Sequence, residues 1–384
     1  MNLHQPLNAY AHSKRPRLLC ASFNQEQECF AIGHEHGFHV YNTDPTERRV
    51  KRDFVDGGIG IVEMLHRTNY LALVGGGPTP KFPINKVIIW DDLKNNVALS
   101  LEFLSSVLAV KLSRTRIVIC LKTKIYVYIF SSPPVRLAVY DTVENPLGLC
   151  ALSNNKLVFP GIQDGHLQIV DLSQQGQERN LISIIKAHRA KVKCLALSHD
   201  GAHVASASET GTIIRIHSVE TTALMHEFRR GIDRATIQSL SFSPTSNRLA
   251  LLSDKDTLHI FDTSPLSASS NRRHVLSKVP LLPRYFSGEW SFVQARLGDD
   301  RTGRGTLGGV IGWASEDCVV VIWPTEGKIE RYAIKEKDGS TPSGIVIQGN
   351  INGNGSVRTI GTIGDAGNEK WELIRDSWRK FEDI

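Results

Sequence analysis

The feature that most constrains this chain is its rhythm. Short alternating or apolar runs, each closed by Gly, Asn, Asp, Ser or Pro, follow one another along almost its whole length. Such runs read as strands joined by tight turns. They come in fours. "LLCASF", "CFAIGH", "GFHVYN" and "RVKRDFV" form one set; "KVKCLALS", "HVASASE", "IIRIHS" and "LMHEFRR" form the fifth. The first six sets begin roughly every 40 to 46 residues, the repeat of a four-stranded propeller blade. A chain of 384 residues suggests two or three domains by length alone. Seven sets use nearly all of it, so the expected fold is all-β. It is a single seven-bladed β-propeller of four-stranded antiparallel blades over 1–384. Trp90-Asp91 is the one WD dipeptide, so the repeat is divergent.

Three segments break the rhythm. Trp371, Ile374, Trp378 and Phe381 recur at helical spacing. The seventh blade otherwise lacks its outer member, so the segment is assigned as a strand. Residues 335–369, rich in Gly, Asn and Thr, read as a flexible loop of the seventh blade. Residues 263–288 form a long loop inside the sixth blade. They set Leu281, Leu282, Tyr285 and Phe286 among Arg272, Arg273, Lys278 and Arg284. Apolar side chains framed by cations suit the boundary between water and anionic lipid. The bland alternative is that the apolar ones pack back onto the propeller.

Composition narrows the partners. A net charge of +6 and a pI near 8.9 favour an anionic surface, nucleic acid or membrane, without proving one. Cys20, Cys29, Cys120, Cys150, Cys194 and Cys318 lie in strand-like runs with no zinc spacing and read as free thiols in a reducing compartment. The N-terminus has no apolar core of a signal peptide, and "CVVVIW" is far too short to span a bilayer. A cytoplasmic protein with at most peripheral membrane contact is expected.

The chemistry gathers at "HEFRRGIDRA", residues 226–235. Neighbouring side chains of an extended strand point to opposite faces, so Arg229 and Arg230 should enter two separate clefts. Repeat-equivalent positions supply the linings. The first cleft would gather His188, Ser206, Ser208, Thr212, Arg215 and Arg229; the second Arg230, Ser253, Lys255, Thr257 and His259. Hydroxyls, imidazole and a guanidinium fork hold phosphate without transfer chemistry. The first cleft shows no obvious carboxylate to neutralise its arginine, whereas Asp233, Asp254 and Asp256 lie near the second. Gly231 would let the backbone turn sharply after the pair.

The remaining motifs do not carry chemistry. "GRGTLG" at 303–308 has no helix following it, and "GGGPTP" lacks the Lys-Ser/Thr of a phosphate loop. His34, His36 and His39 straddle a turn and read as strand and surface histidines, so no metal is assigned. No nucleophile, base and orienter stand in a recognisable arrangement, so neither catalysis nor a cofactor is expected.

The quartet Phe228-Arg229-Arg230-Gly231, with "FNQEQECFAIGHEHGFHVYNTDP" (23–45) and "LALVGGGPTPKFPINKVIIWDD" (71–92), resembles the PROPPIN family, called WIPI proteins in animals. The resemblance covers the whole chain and looks closest to the smaller, non-founding branch. It implies a non-catalytic effector that binds phosphatidylinositol 3-phosphate and phosphatidylinositol 3,5-bisphosphate through two rim pockets, one per arginine. It also implies a sixth-blade loop that dips into the bilayer, although this one is on the short side. Roles in autophagy and in endosomal or vacuolar trafficking follow, on preautophagosomal, endosomal and vacuolar membranes. Partners would be autophagy proteins, including a rod-shaped lipid-transfer protein; no nucleic acid is expected, and a monomer in solution. The competing reading is an adaptor propeller whose arginines grip phosphorylated or acidic peptides.

Overall fold

The computed structural model describes residues 16–55, 57–265, 270–273, 289–297, 308–337, 358–359 and 370–384. Seven sheets follow one another along the chain, each built on four antiparallel strands in the order first, second, third, fourth. The fifth, for example, comprises Val192–Leu197, His203–Ser208, Ile213–Ser218 and Leu224–Arg229. First strands of successive blades approach one another around the axis, which leaves the fourth strands at the rim. The chain is thus a seven-bladed β-propeller.

Packing explains the sequence pattern. Each adjoining pair of blades encloses its own apolar cluster, and the seventh joins blade 7 to blade 1 through Val320, Ile322, Phe30, Ile32 and Tyr41. Second strands are covered on both faces, so they read as continuous apolar runs, as in "CFAIGH" and "RLALLS". Rim strands alternate between exposed and half-buried residues. In blades 1, 2, 3, 5 and 7 the rim strand carries a register shift at the same place, opposite Val40/Tyr41, Ile89/Trp90, Val127/Tyr128, Ile216/His217 and Arg331/Tyr332. Such bulges twist an edge away from pairing with another sheet.

Blade 1 also holds the centre. Its first turn follows Phe23, and Gln27 adopts a φ of 60° there. The Gln27 side chain donates from Nε2 to Phe242 O at 3.1 Å and meets His199 Nε2 at 2.8 Å. Its Oε1 accepts from Trp313 N at 2.7 Å and Ser241 Oγ at 3.1 Å. Gln25 reaches the other way, donating to Met64 O at 2.8 Å and Leu112 O at 3.0 Å, while its Oε1 accepts from His66 N at 2.7 Å. Two neighbouring glutamines therefore tie blade 1 to blades 2, 3, 5, 6 and 7. A single turn reaches all of these only by crossing the axis.

Several elements differ from the sequence reading. Trp371–Lys380 is the rim strand of blade 7, as assigned, and Phe381–Asp383 closes it as a 3-10 turn. The third strand of that blade runs through Glu336, so residues 335–336 are strand rather than loop, and 358–359 pair onto the rim strand. The periodicity missed one short helix, Gln174–Glu178, capped by Ser173 Oγ, which accepts from Gly176 N at 3.1 Å. The run "WSFVQARL" divides: Val293–Arg296 is the rim strand of blade 6, whereas Glu289–Trp290 belongs to blade 5. Glu289 and Trp290 lie parallel to Phe228 and Arg229, and Arg272 and Arg273 pair with them in turn. Arg272 and Arg273 are thus the base of the long connection rather than part of its free span. Lys278, Leu281, Leu282, Arg284, Tyr285 and Phe286 lie outside the described residues. All six cysteines are free.

Candidate functional site at the rim of blades 4 to 6

The strand Leu224–Arg229 sets the geometry. Register places Arg215 opposite both Ser206 and Glu227, and Ile213 opposite Arg229. Ser206, Ser208, Arg215, Glu227 and Arg229 therefore share one face of blade 5. Phe228 takes the other face, fully buried, and stacks on Phe261 of blade 6 with ring centroids 4.7 Å apart. Since that second face meets blade 6, Arg229 faces blade 4. Arg230 lies just past the strand, and its N–H donates to Thr212 O at 3.0 Å. Its guanidinium is buried, donating from Nε to Gly211 O at 2.8 Å and from Nη2 to Asp233 O. Burial lowers its pKa, against Asp254 and Asp233, which raise it. The two arginines diverge into different clefts.

The first cleft holds His188 from the connection between blades 4 and 5, with Nε2 3.0 Å from Ser206 Oγ. Ser208 Oγ lies 2.9 Å from Thr210 Oγ1, a hydroxyl the sequence reading did not include. Arg215 corrects that reading. It donates from Nε and Nη2 to Glu227 Oε2 at 2.9 and 2.8 Å, and from Nη1 to Ala187 O at 2.6 Å. The cleft does contain a carboxylate, and Arg215 neutralises it. Thr212 contributes its carbonyl, which accepts the Arg230 N–H.

The second cleft repeats the first one blade further on. Ser253 stands where Ser208 does, His259 where Arg215 does and Thr257 where Ile213 does. Ser253 Oγ lies 2.7 Å from Thr257 Oγ1, which is 3.3 Å from His259 Nε2; His259 Nδ1 lies 3.2 Å from Ser291 Oγ. Lys255 is half-exposed, with Nζ 3.9 Å from Asp233 Oδ2. The same equivalence identifies a residue the sequence reading missed. Arg296, exposed and opposite Thr257, is to blade 6 what Arg229 is to blade 5.

The glycine reading also changes. A Cβ on Gly231 would meet nothing, and its φ is not in the left-handed region. The constrained glycine is Gly211, with a φ of +60° and Ala235 O 1.7 Å from an added Cβ. Its carbonyl is the acceptor for Arg230 Nε, so the turn and the arginine are held together.

Burial keeps the histidines neutral. It pushes His188 down to about 4, with Arg215 assisting, and His259 down to about 3, with Arg230 and Arg272 assisting. His34 and His217 are likewise driven to about 4 by burial. Unfolded, each would titrate near 6.5. Folded-state pKa values below the unfolded one mean that the unfolded chain takes up protons first as pH falls. Stability is therefore lost from about pH 6.5 downward, levelling off near pH 4 for His34, His188 and His217 and near pH 3 for His259. The melting temperature should be about 5–10 °C lower at pH 5 than at pH 7.5, measurable by differential scanning fluorimetry.

Charge around the rim has a direction. At one position, the end of the fourth strand, blades 1 to 7 carry Asp53, Glu102, Asp141, Lys186, Arg229, Arg296 and Lys380. The acids are offset by Lys51, Lys86 and Lys124 at 3.0, 2.9 and 2.8 Å. The residues opposite Arg229 and Arg296 are Ile213 and Thr257, neither a carboxylate.

Among the described residues one His/Asp group, His34, His39 and Asp53, has its ligand-type atoms within 4.8 Å of one another. His34 Nδ1 accepts the His36 N–H at 3.2 Å, so in the neutral ring Nε2 carries the proton and is withheld from a cation. No helix among the described residues is long and apolar enough to cross a membrane.

Comparison with known proteins agrees with this architecture. The family model described as PROPPIN matches residues 17–277. The chain is similar to SVP1-like protein 2 of Pichia angusta, 46% identical over 393 residues and covering 100% of both chains. It is similar to SVP1-like protein 2 of Saccharomyces cerevisiae, 33% identical over 458 residues and covering 99% of this chain and 100% of that one. Among solved structures, Hsv2 of Kluyveromyces lactis with its complete loop 6CD superposes with a TM-score of 0.73 at 26% identity, over 95% of this chain and 99% of that one. The chain therefore belongs to the PROPPIN family, the non-enzymatic, phosphoinositide-binding β-propellers of autophagy.

Proposed function

We propose that the rim of blades 4 to 6 binds phosphatidylinositol 3-phosphate and phosphatidylinositol 3,5-bisphosphate, one headgroup in each cleft. The observation that carries this reading is the divergence of Arg229 and Arg230 into neighbouring clefts lined by repeat-equivalent Ser, Thr and His side chains. Guanidinium and hydroxyl donors at fixed positions suit a phosphomonoester. Two such clefts on one rigid rim meet the same membrane, so the second headgroup binds in effect intramolecularly. Lys186, Arg296 and Lys380 extend the cationic arc on either side. The connection 263–288 has its base beside the rim strand that carries Arg229, since Glu289–Trp290 pairs with that strand and Arg272–Arg273 pairs with Glu289–Trp290; from there its Leu281, Leu282, Tyr285 and Phe286 would reach lipid. Docked on this edge, the disc stands upright. The remaining blades are left for autophagy proteins, a rod-shaped lipid-transfer protein among them. The protein acts as a monomer, cytoplasmic and peripheral on preautophagosomal, endosomal and vacuolar membranes.

Liposome flotation tests this. The full chain should float with vesicles containing phosphatidylinositol 3-phosphate or the 3,5-bisphosphate, and remain behind with phosphatidylserine vesicles of matched charge. Equal flotation with both would reduce the site to nonspecific charge. Displacement by a phosphopeptide but not by soluble headgroup would favour the adaptor reading. Replacing Leu281, Leu282, Tyr285 and Phe286 together by Ser should weaken flotation about tenfold while sparing soluble headgroup binding, because each buried apolar Å² contributes only ~25 cal/mol and only at a membrane. Equal loss of both would make the loop structural.

A further inference from the structure

The long connection of blade 6 does more than leave the rim and return. Its two ends are buttoned together on blade 5. Asn271, buried, donates from Nδ2 to Asp262 O at 2.6 Å and to Glu289 Oε2 at 3.1 Å, while its Oδ1 accepts from Asp262 N at 2.8 Å. Asp262 in turn accepts from Ser264 N at 2.8 Å and Ser270 N at 2.7 Å. Glu289, also buried, pairs with Phe228 and so anchors the button on the arginine strand. The residue after Asn271 is Arg272. Its Nε donates to Ser291 O at 2.7 Å, and the hydroxyl of that same serine faces His259 Nδ1 at 3.2 Å.

We propose that the base of this connection is a wall of the second cleft, with Arg272 a phosphate-binding residue there and Asn271 the residue that positions it. The inference rests on the phosphoinositide reading of the rim and deepens it. Ser291 bridges the two parts: its carbonyl orients the Arg272 guanidinium, and its fully buried hydroxyl orients the His259 ring. The influence of Arg272 on His259, which it helps to keep neutral, agrees with that proximity. Among the described residues the first cleft has no counterpart: the third and fourth strands of blade 5 are joined by a short turn, residues 219–223. The two clefts are therefore unequal. The second draws on Arg272 and Ser291, residues at the two ends of the connection.

Isothermal titration of the full chain with soluble inositol 1,3-bisphosphate, with inorganic phosphate as a parallel arm, tests this. The wild type should take two headgroups. Arg272→Gln should weaken one of them about tenfold. In an Arg229→Thr background, where only the second cleft remains, Arg272→Gln should remove most of the residual heat. In an Arg230→Thr background it should change nothing. Asn271→Ala should reproduce the loss without altering charge, with thermal melts showing that the propeller persists. Equal effects of Arg272→Gln in both backgrounds, or none in the Arg229→Thr background, would overturn the assignment while leaving the two-cleft reading standing. Inorganic phosphate giving the same heat would assign the cleft to free anions and overturn it too. No heat with wild type would overturn the phosphoinositide reading, and this inference with it.

Discussion

Arg229→Thr combined with Arg230→Thr should abolish flotation with vesicles containing phosphatidylinositol 3-phosphate, a loss of about 100-fold or more. The size follows from the geometry. Arg229 faces blade 4 and Arg230 lies toward blade 6, so each substitution empties a different cleft. A single variant keeps one headgroup contact and loses the effective concentration supplied by the other, so roughly tenfold is expected from each alone. The double variant retains the loop contact and the attraction of the remaining cations, Lys186, Arg296 and Lys380 among them, but neither guanidinium of the pair. Stability must be followed in parallel. Arg230 is buried and satisfies the carbonyls of Gly211 and Asp233, so its loss should cost about 1–3 kcal/mol. Arg229 is only half-buried. A double variant that melts cooperatively and still floats would remove the arginines from the site.

The second large effect lies at the centre of the ring. Gln27→Ala should lower the stability of the whole propeller by roughly 3–5 kcal/mol, about 4–6 °C in melting temperature for a chain of this size. The amide of Gln27 uses both its donors and both lone pairs, on Phe242, His199, Trp313 and Ser241. Truncation leaves the Trp313 N–H and the Ser241 hydroxyl buried without that acceptor, and water has little access to replace it. Gln27→Glu should be no better, since it presents carboxylate oxygen to the Phe242 carbonyl. Chemical denaturation with a lowered midpoint and unchanged m-value is the expected signature. Headgroup binding should be unaffected well below the transition, because Gln27 bonds to neither cleft. An alanine variant as stable as wild type would mean that the interblade clusters alone hold the ring closed.

The contrast between the two positions shows what the sequence makes legible. The blade repeat and the paired arginines are local patterns: alternation over six residues, four runs per set, two adjacent cations. Opposite-facing arginines follow from strand geometry alone, and the structure has them diverge. The Arg215–Glu227 pair was legible in principle, since Glu227 lies inside the quoted stretch, but its cross-strand register had to be known. Gly211 rather than Gly231 bears the backbone constraint because strain depends on φ and on Ala235, 24 residues downstream. Gln25 and Gln27 look like solvated turn residues; only closure of the ring brings Met64, Leu112, Phe242 and Trp313 to them. The parallel pairing of Glu289–Trp290 with Phe228–Arg229 spans 61 residues and carries no periodic signal. Arg296 was overlooked because the long connection hides its equivalence to Arg229.

The succession of end-strand charges from Asp53 to Lys380 gives the disc a compass needle. At these end-strand positions blades 1 to 3 carry acids paired with lysines and blades 4 to 7 carry cations, so this ring of charges adds a torque toward an anionic sheet before contact. Approach should be self-aligning, with the arginine edge leading, and capture should slow as added salt shortens the reach of that torque to a few ångströms.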